Sequence, residues 1–328
     1  TDPLDCRRTI FDEKDRILDQ LTSNKGKKKV LVTVNTVLTA VLLAKMLEKE
    51  AQDTLLLHAR FMYRDRLKKE EAIEDYKDTP HILVTTQVCE VSLDISYDVL
   101  FTELAPLPSL VQRFGRVNRR GKKTDETNVW ICKEDRQAGS TRYPYENEDL
   151  TVAGKILDEL YPLENEYKLI EKYNEVESYE SLSERMSEAE RQLDFEALWE
   201  SDDRTAYFFT FQLGDEEVRK RLLQFRDELT VNILPAPDCI AVESPEDIRI
   251  KRDLETLLSR LNDKSLTRNQ RAVVFSQLRG YLVPVPIWWT IGLDRGREMR
   301  GFPVARFADR LYTSKYGFVE TKELANVI

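Results

Sequence analysis

Gln112, Arg116 and Arg119 stand in the run QRFGRVNRR, an amide and two guanidinium groups at i, i+4 and i+7. Guanidinium is planar, permanently charged and forked, so it grips phosphate oxygens two at a time. The chemistry such a set could do is recognition of an anion. Leu110, Phe114 and Val117 repeat the same spacing. On a helix turning about 100° per residue the two stripes lie about 200° apart. The expected element is therefore a helix whose apolar stripe docks on a sheet while Gln112, Arg116 and Arg119 face a cleft. Arg113, one step round, is expected to pair with acidic groups inside the fold.

A helix of this kind needs a sheet to lean on, and the chain supplies one. Apolar or β-branched runs at 30–34, 54–57, 82–85, 99–102 and 129–131 have the composition of strands buried on both faces. Helical patterns separate them. Val37, Val41, Ala44 and Leu47 mark one face after a cap at Asn35 or Thr36, and Leu67, Ile73 and Tyr76 mark another on a charged surface helix. Alternation of this sort predicts an α/β fold, a parallel sheet with helices on both faces. Ligands of such sheets gather at the carboxyl ends of the strands. Asn35, 58–60, 85–94 and the start of the Gln/Arg helix are all expected there.

The composition changes after Asn147. Segments 151–160 and 181–199 read as acidic amphipathic helices whose apolar faces serve core packing. From Thr205 aromatic strand segments appear, AYFFTFQL and LTVNILP, then a helix over 248–261 and the run GYLVPVPIWW, whose prolines predict an edge strand. The expected organisation is a lobe over 1–146, an acidic helical linker over 147–204 and a small α+β domain over 205–328. Residues 1–28 form a lead-in with a short helix around Ile17 and Leu21. A chain that starts at Thr1, with its first strand near Lys29, is expected to be a piece of a longer one.

The 328 residues carry a net charge of −9, unevenly distributed. Between Glu146 and Asp203 there are 19 Asp/Glu against 5 Lys/Arg, a balance of −14, which leaves +5 for the rest. Arg113, Arg116, Arg119, Arg120, Lys122 and Lys123 cluster with no acidic residue between Glu103 and Asp125. The field at that helix is therefore positive. At 41% hydrophobic and 33% charged residues the chain has a soluble composition, with no apolar run near the roughly 20 residues of a membrane span. No membrane partner is expected. Cys6, Cys89, Cys132 and Cys239 are too scattered for a C-x-x-C pair and read as reduced core thiols of a cytoplasmic protein. His58 and His81, the two histidines, read as structural, and no metal centre is expected within the chain.

QRFGRVNR resembles the QRxGRxxR pattern of motif VI in superfamily 2 helicases, and TTQVCEVSLDISYD resembles their motif V. With TELAP between them, the run is similar to the signature helicase of type I CRISPR systems, the Cas-three family. A solvated basic face beside a packed strand would not bring two ordered motifs at this separation. The resemblance covers about 90 residues, Val30 to Gly121. It implies a RecA-like second lobe, with Arg116 and Arg119 reaching the γ-phosphate of ATP, Gln112 alongside, and Asp94 offered to the ribose. Asn35, Thr36, Arg60 and Thr86 are then implied as contacts to the phosphate backbone of single-stranded DNA. The family also implies a first RecA-like lobe, an HD-type nuclease domain or subunit and an RNA-guided surveillance complex as partners.

Neither a Walker A loop nor the acidic motif that holds Mg²⁺ occurs in the sequence. The Mg²⁺ that accompanies ATP is therefore expected on the first lobe, and this chain alone is expected to be inactive. Two other readings stay open: an RNA helicase lobe, against which SLDI and TELAP speak, and a RecA-like binding module that has lost ATP use, against which Gln112, Arg116 and Arg119 speak. For Asp94 the alternative is a cap or turn residue, and for Arg60 a surface ion pair.

Overall fold

Strand β1 (Val30–Thr33) is four consecutive buried residues, and β3 (Ile82–Thr85) and β4 (Val99–Glu103) are buried throughout as well. Segments that are apolar on every side chain must be covered on both faces. With β2 (Thr54–Leu57) and β5 (Val129–Cys132) they form a five-stranded sheet in the order β2-β3-β1-β4-β5, every pair parallel. All five strands expected from the sequence are present. The computed structural model describes residues 8–22, 27–91, 94–119, 128–134, 144–160, 167–176, 230–286, 289 and 304–321.

The strand order reverses direction once, between β2 and β3. The right-handed rule for crossovers between parallel strands then assigns α2 (Val37–Glu48) to one face and α3 (Tyr63–Asp75), α4 (Val88–Val91) and α5 (Leu107–Phe114) to the other. Leu31, Leu57, Leu83 and Leu100 join Ile73, Cys89, Leu110 and Phe114 in the core of that second face. Ahead of β1 lies α1 (Lys14–Thr22), with Ile17 fully buried. In α3 Ile73 is buried as expected, but Leu67 is 41% exposed and contributes no core.

Contacts divide the chain into two units, residues 1–59 with 67–178, and residues 60–66 with 179–326. This corrects the sequence-based boundaries in two places. The acidic segment after Asn147 is not a linker at its start. Helix α6 (Asn147–Glu159) buries Leu150, Ala153, Ile156 and Leu157, and α7 (Tyr167–Val176) packs on α5. Ala153, Ile156, Leu157 and Leu169 belong to the same core as Leu110 and Phe114, which ties these helices to the first unit. The expected helix over 181–199 and the strand AYFFTFQL lie outside the described residues.

The second correction concerns 60–66, a segment expected in the lobe. Its backbone bonds instead to the second unit, with Phe318 N–H donating to Arg60 O at 2.9 Å, Tyr63 N–H to Leu282 O at 3.1 Å and Arg64 N–H to Gly280 O at 2.9 Å. Tyr312 hydroxyl donates to Asp65 Oδ2 at 2.5 Å and accepts from Met62 N–H at 3.2 Å. Within this unit β6 (Thr230–Pro235) lies between β7 (Val283–Pro286) and β8 (Val304–Ala305), while β9 (Arg310–Thr313) and β10 (Gly317–Glu320) form a hairpin. The proline-bearing β7 is an edge strand, as its prolines require. Helices α8 (Pro245–Asn262) and α9 (Arg268–Arg279) cover a core that includes Ile250, Leu254, Val274 and Leu278.

Candidate functional site

The helix that carries QRFGRVNR is shorter than its periodicity suggests. It stops at Gly115, after eight residues, so Arg116, Val117 and Arg119 lie beyond it. The cause is Tyr97. Its N–H donates to Arg116 O and its carbonyl accepts from Asn118 N–H, both at 2.9 Å, which pairs Val117 with Tyr97 as an isolated parallel bridge. Asn118 takes φ 49° to complete the change of direction. Asparagine enters that left-handed region more readily than most residues. The apolar stripe nevertheless survives, with Leu110 fully buried and Phe114 and Val117 each 8% exposed. Gln112 and Arg119 are exposed and Arg116 half-buried.

Arg119 forms an ion pair through Nη1 with Asp94, and its Nε donates to Gly115 O at 2.7 Å. The Asp94 side chain is 97% exposed. The carboxylate implied for ribose and a guanidinium implied for the γ-phosphate thus meet at the surface of the first unit. Arg116 donates through Nη2 to the carbonyl of Glu90 on α4. The set presents guanidinium and amide donors beside one exposed carboxylate that Arg119 already engages, an arrangement able to bind an anion. Among the described residues, no group of three or more His, Cys, Asp or Glu is arranged to hold a metal ion.

Two of the residues implied at phosphate are inside the fold, which corrects those assignments. Asn35 is 3% exposed, and its amide is occupied at both ends, Nδ2 donating to Leu104 O at 2.8 Å and Oδ1 accepting from Arg113 Nη2 at 3.0 Å. Thr86 is also 3% exposed, at the carboxyl end of β3, where its carbonyl accepts from Cys89 N–H at 3.2 Å. Thr36 is half-buried and caps α2, its Oγ1 accepting from Thr39 N–H at 3.1 Å. Arg60 belongs to the second unit, its guanidinium 4.4 Å from the centre of the Trp289 ring.

Arg113 is fully buried and spends all five N–H donors. Nε donates to Glu90 Oε1 at 2.8 Å, Nη1 to Thr102 Oγ1 at 2.8 Å and Glu103 O at 3.1 Å, and Nη2 to Asn35 Oδ1 at 3.0 Å and Tyr145 hydroxyl at 3.2 Å. Glu90, 8% exposed, supplies the opposite charge. Sequence reasoning anticipated an acidic partner for Arg113 but not which one. Glu90 stands two residues from a helix start in a motif-like string, and nothing local marks it as buried.

Both histidines are buried. His81 Nδ1 lies 2.8 Å from Thr79 O, so it carries the proton, and Nε2 accepts from Tyr97 hydroxyl at 2.6 Å. Burial holds the His81 imidazole below its ordinary pKa and the Tyr97 phenol above its own. Cys89, Cys132 and Cys239 are buried and in no disulfide.

With this geometry in place, residues 26–122 match the family model described as CRISPR-associated nuclease/helicase Cas3, C-terminal. That stretch is similar to the C-terminal helicase region of Cas3 proteins. The CRISPR-associated endonuclease/helicase Cas3 of Thermus thermophilus is 32% identical over 229 residues, 64% of this chain and 24% of that protein. The Cas3 of Methanothermobacter thermautotrophicus is 29% identical over 168 residues, 47% of this chain and 19% of that protein. The chain therefore matches less than a quarter of the length of either Cas3 relative. The crystal structure of T. fusca Cas3 with ADP superimposes with a TM-score of 0.59 at 19% identity, covering 94% of this chain and 40% of that one, a likeness of fold. No helix among the described residues is long and apolar enough to cross a membrane.

Proposed function

We propose that this chain is the C-terminal part of an ATP-dependent translocase that moves along single-stranded DNA from three-prime to five-prime and unwinds target DNA in CRISPR interference. The observation that carries the reading is the Asp94–Arg119 pair, flanked by exposed Gln112 and by Arg116 anchored on Glu90. Phosphoryl transfer needs charge stabilisation more than covalent chemistry, and an arginine finger is worth roughly 10³ to 10⁵ in rate. In this reading Arg119 leaves Asp94 for the γ-phosphate, Asp94 turns to the ribose, Arg116 adds a second guanidinium and Gln112 orients the attacking water. A first RecA-like lobe supplies the Walker A loop and the Mg²⁺ site.

Thr36, on the N-terminus of α2, and Arg60, stacked on Trp289, are the proposed contacts to DNA phosphates. Hydroxyl and guanidinium groups bind the backbone without reading sequence, as a translocase requires. The proposed partners are an RNA-guided surveillance complex and an HD-type nuclease domain or subunit, and the proposed compartment is the cytoplasm. The test is ATP hydrolysis by the complete helicase with no polynucleotide, with single-stranded DNA and with single-stranded RNA. Stimulation by DNA well above that by RNA supports the proposal. Equal stimulation would favour an RNA helicase, and hydrolysis indifferent to both would sink the translocase reading.

A further inference from the structure

Arg113 does work that neither motif assigns to it. It cannot be a phosphate ligand, because it is fully buried and every N–H it has is spent on the protein. Its acceptors come from α4, from β4, from the turn between β1 and α2, and from Tyr145 ahead of α6. Two of these bonds, with a third made by Arg116, form a continuous path. Asn35 Oδ1 accepts from Arg113, Arg113 Nε donates to Glu90 Oε1, and the Glu90 carbonyl accepts from Arg116. At one end of this path stands Thr36, next in sequence to Asn35 and proposed to hold DNA. At the other end stands Arg116, proposed to meet nucleotide. A planar fork with all its donors engaged cannot turn without breaking several bonds at once, so a shift of Asn35 is passed on to Glu90 instead of being absorbed.

We infer that Arg113 is a positioning residue that couples the DNA-facing turn at Asn35 and Thr36 to the seat of Arg116, and that Asn35 acts through this bond and not by touching phosphate. The inference rests on the proposed function above and adds to it the route by which DNA stimulates hydrolysis.

The experiment compares Asn35→Asp with Asn35→Ala in the complete helicase, alongside Arg113→Lys. Aspartate keeps the acceptor that Arg113 needs and gives up only the donor to Leu104 O, whereas alanine removes both. A residue that held phosphate directly would behave in the reverse order, because a carboxylate repels phosphate. Four quantities are read on each preparation: the thermal melt, the dissociation constant for single-stranded DNA, the KM for ATP, and the ratio of turnover with saturating DNA to turnover without it. Asn35→Asp is expected to keep most of the stimulation ratio and Asn35→Ala to lose about tenfold, with DNA affinity within about threefold for both. Lysine keeps the charge beside Glu90 but has three N–H donors in place of five. Arg113→Lys is therefore expected to fold, to keep its KM for ATP, and to lose about tenfold in stimulation.

Should Arg113→Lys fail to fold, the Asn35 pair alone decides. Asn35→Asp no better than Asn35→Ala would overturn the inference, as would parent-like stimulation in Arg113→Lys. Failure of the proposed function looks different, since the parent helicase itself would then show no DNA-stimulated turnover.

Discussion

Asp94 and Arg119, 25 residues apart in sequence, hold each other in an ion pair at the surface of the first unit. In the proposed reaction both must let go, one for ribose and one for phosphate. The pair is then a resting arrangement that keeps the arginine oriented before nucleotide arrives. An exposed pair of this kind contributes little to stability. Arg119→Ala and Arg119→Lys in the complete helicase should therefore melt with the parent and bind single strands with the parent, while turnover falls by roughly 10² or more. Lysine should not rescue, because it loses the planar fork. Near-parental hydrolysis by Arg119→Lys would remove Arg119 from the γ-phosphate.

Arg60 offers a separate test on the second unit. If its in-plane donors hold a phosphate, Arg60→Ala should weaken single-strand binding equally for all sequences and flatten the plot of log affinity against log salt by about 0.7. Arg60→Lys should keep the slope while giving up the stacking on Trp289, worth about 0.5–2 kcal/mol. Titrations at several salt concentrations, paired with melts, separate the two roles. An unchanged slope in Arg60→Ala would leave it to packing alone.

Removing the charge of Arg113 should damage the fold itself. Arg113→Met leaves the Glu90 carboxylate buried with its ion-pair partner gone, which should cost about 3–5 kcal/mol, whereas the exposed neighbour Gln112→Ala should change stability by less than about 0.5 kcal/mol. Denaturant unfolding followed by a probe in the first unit would show the contrast. Equal midpoints for the two variants would mean that the hub carries no stability.

The pH dependence of stability should carry a component from His81. Burial lowers its folded pKa, and Lys29 lowers it further, against opposing effects of the Thr79 carbonyl and Asp53. Below about pH 6.5 the unfolded imidazole binds a proton that the folded one resists. The unfolded state then holds more protons, so stability is lost as the pH falls from about 6.5 toward the lowered folded value, and is fully present above it. Melts of the parent from pH 8 to pH 5 should show this loss, and His81→Gln should lack it. Parallel curves for the two would place the titration elsewhere.

Much of the first unit was legible in the sequence because its information is local. A strand buried on both faces must be apolar at every position, so 30–34, 54–57, 82–85, 99–102 and 129–131 announced themselves without any knowledge of their neighbours. The QRFGRVNR string likewise carried its chemistry in residue type and spacing. Periodicity could not show that the helix ends at Gly115, because Val117 stays buried through its bridge to Tyr97 and so keeps the stripe intact after the helix has gone. Asn35 read as a surface amide for the same kind of reason. Its burial follows from the register that sets β1 beside β4 and brings Arg113, 78 residues away, within 3.0 Å. Arg60 is the extreme case, since it sits seven residues before Leu67 of the first unit yet stacks on Trp289 in the second. By itself the sequence determined the five strands of the first unit and the residue types and spacing of the Gln112, Arg116 and Arg119 set. Only the tertiary structure decided which of those side chains face outward, because a polar group's burial depends on acceptors brought to it from distant parts of the chain.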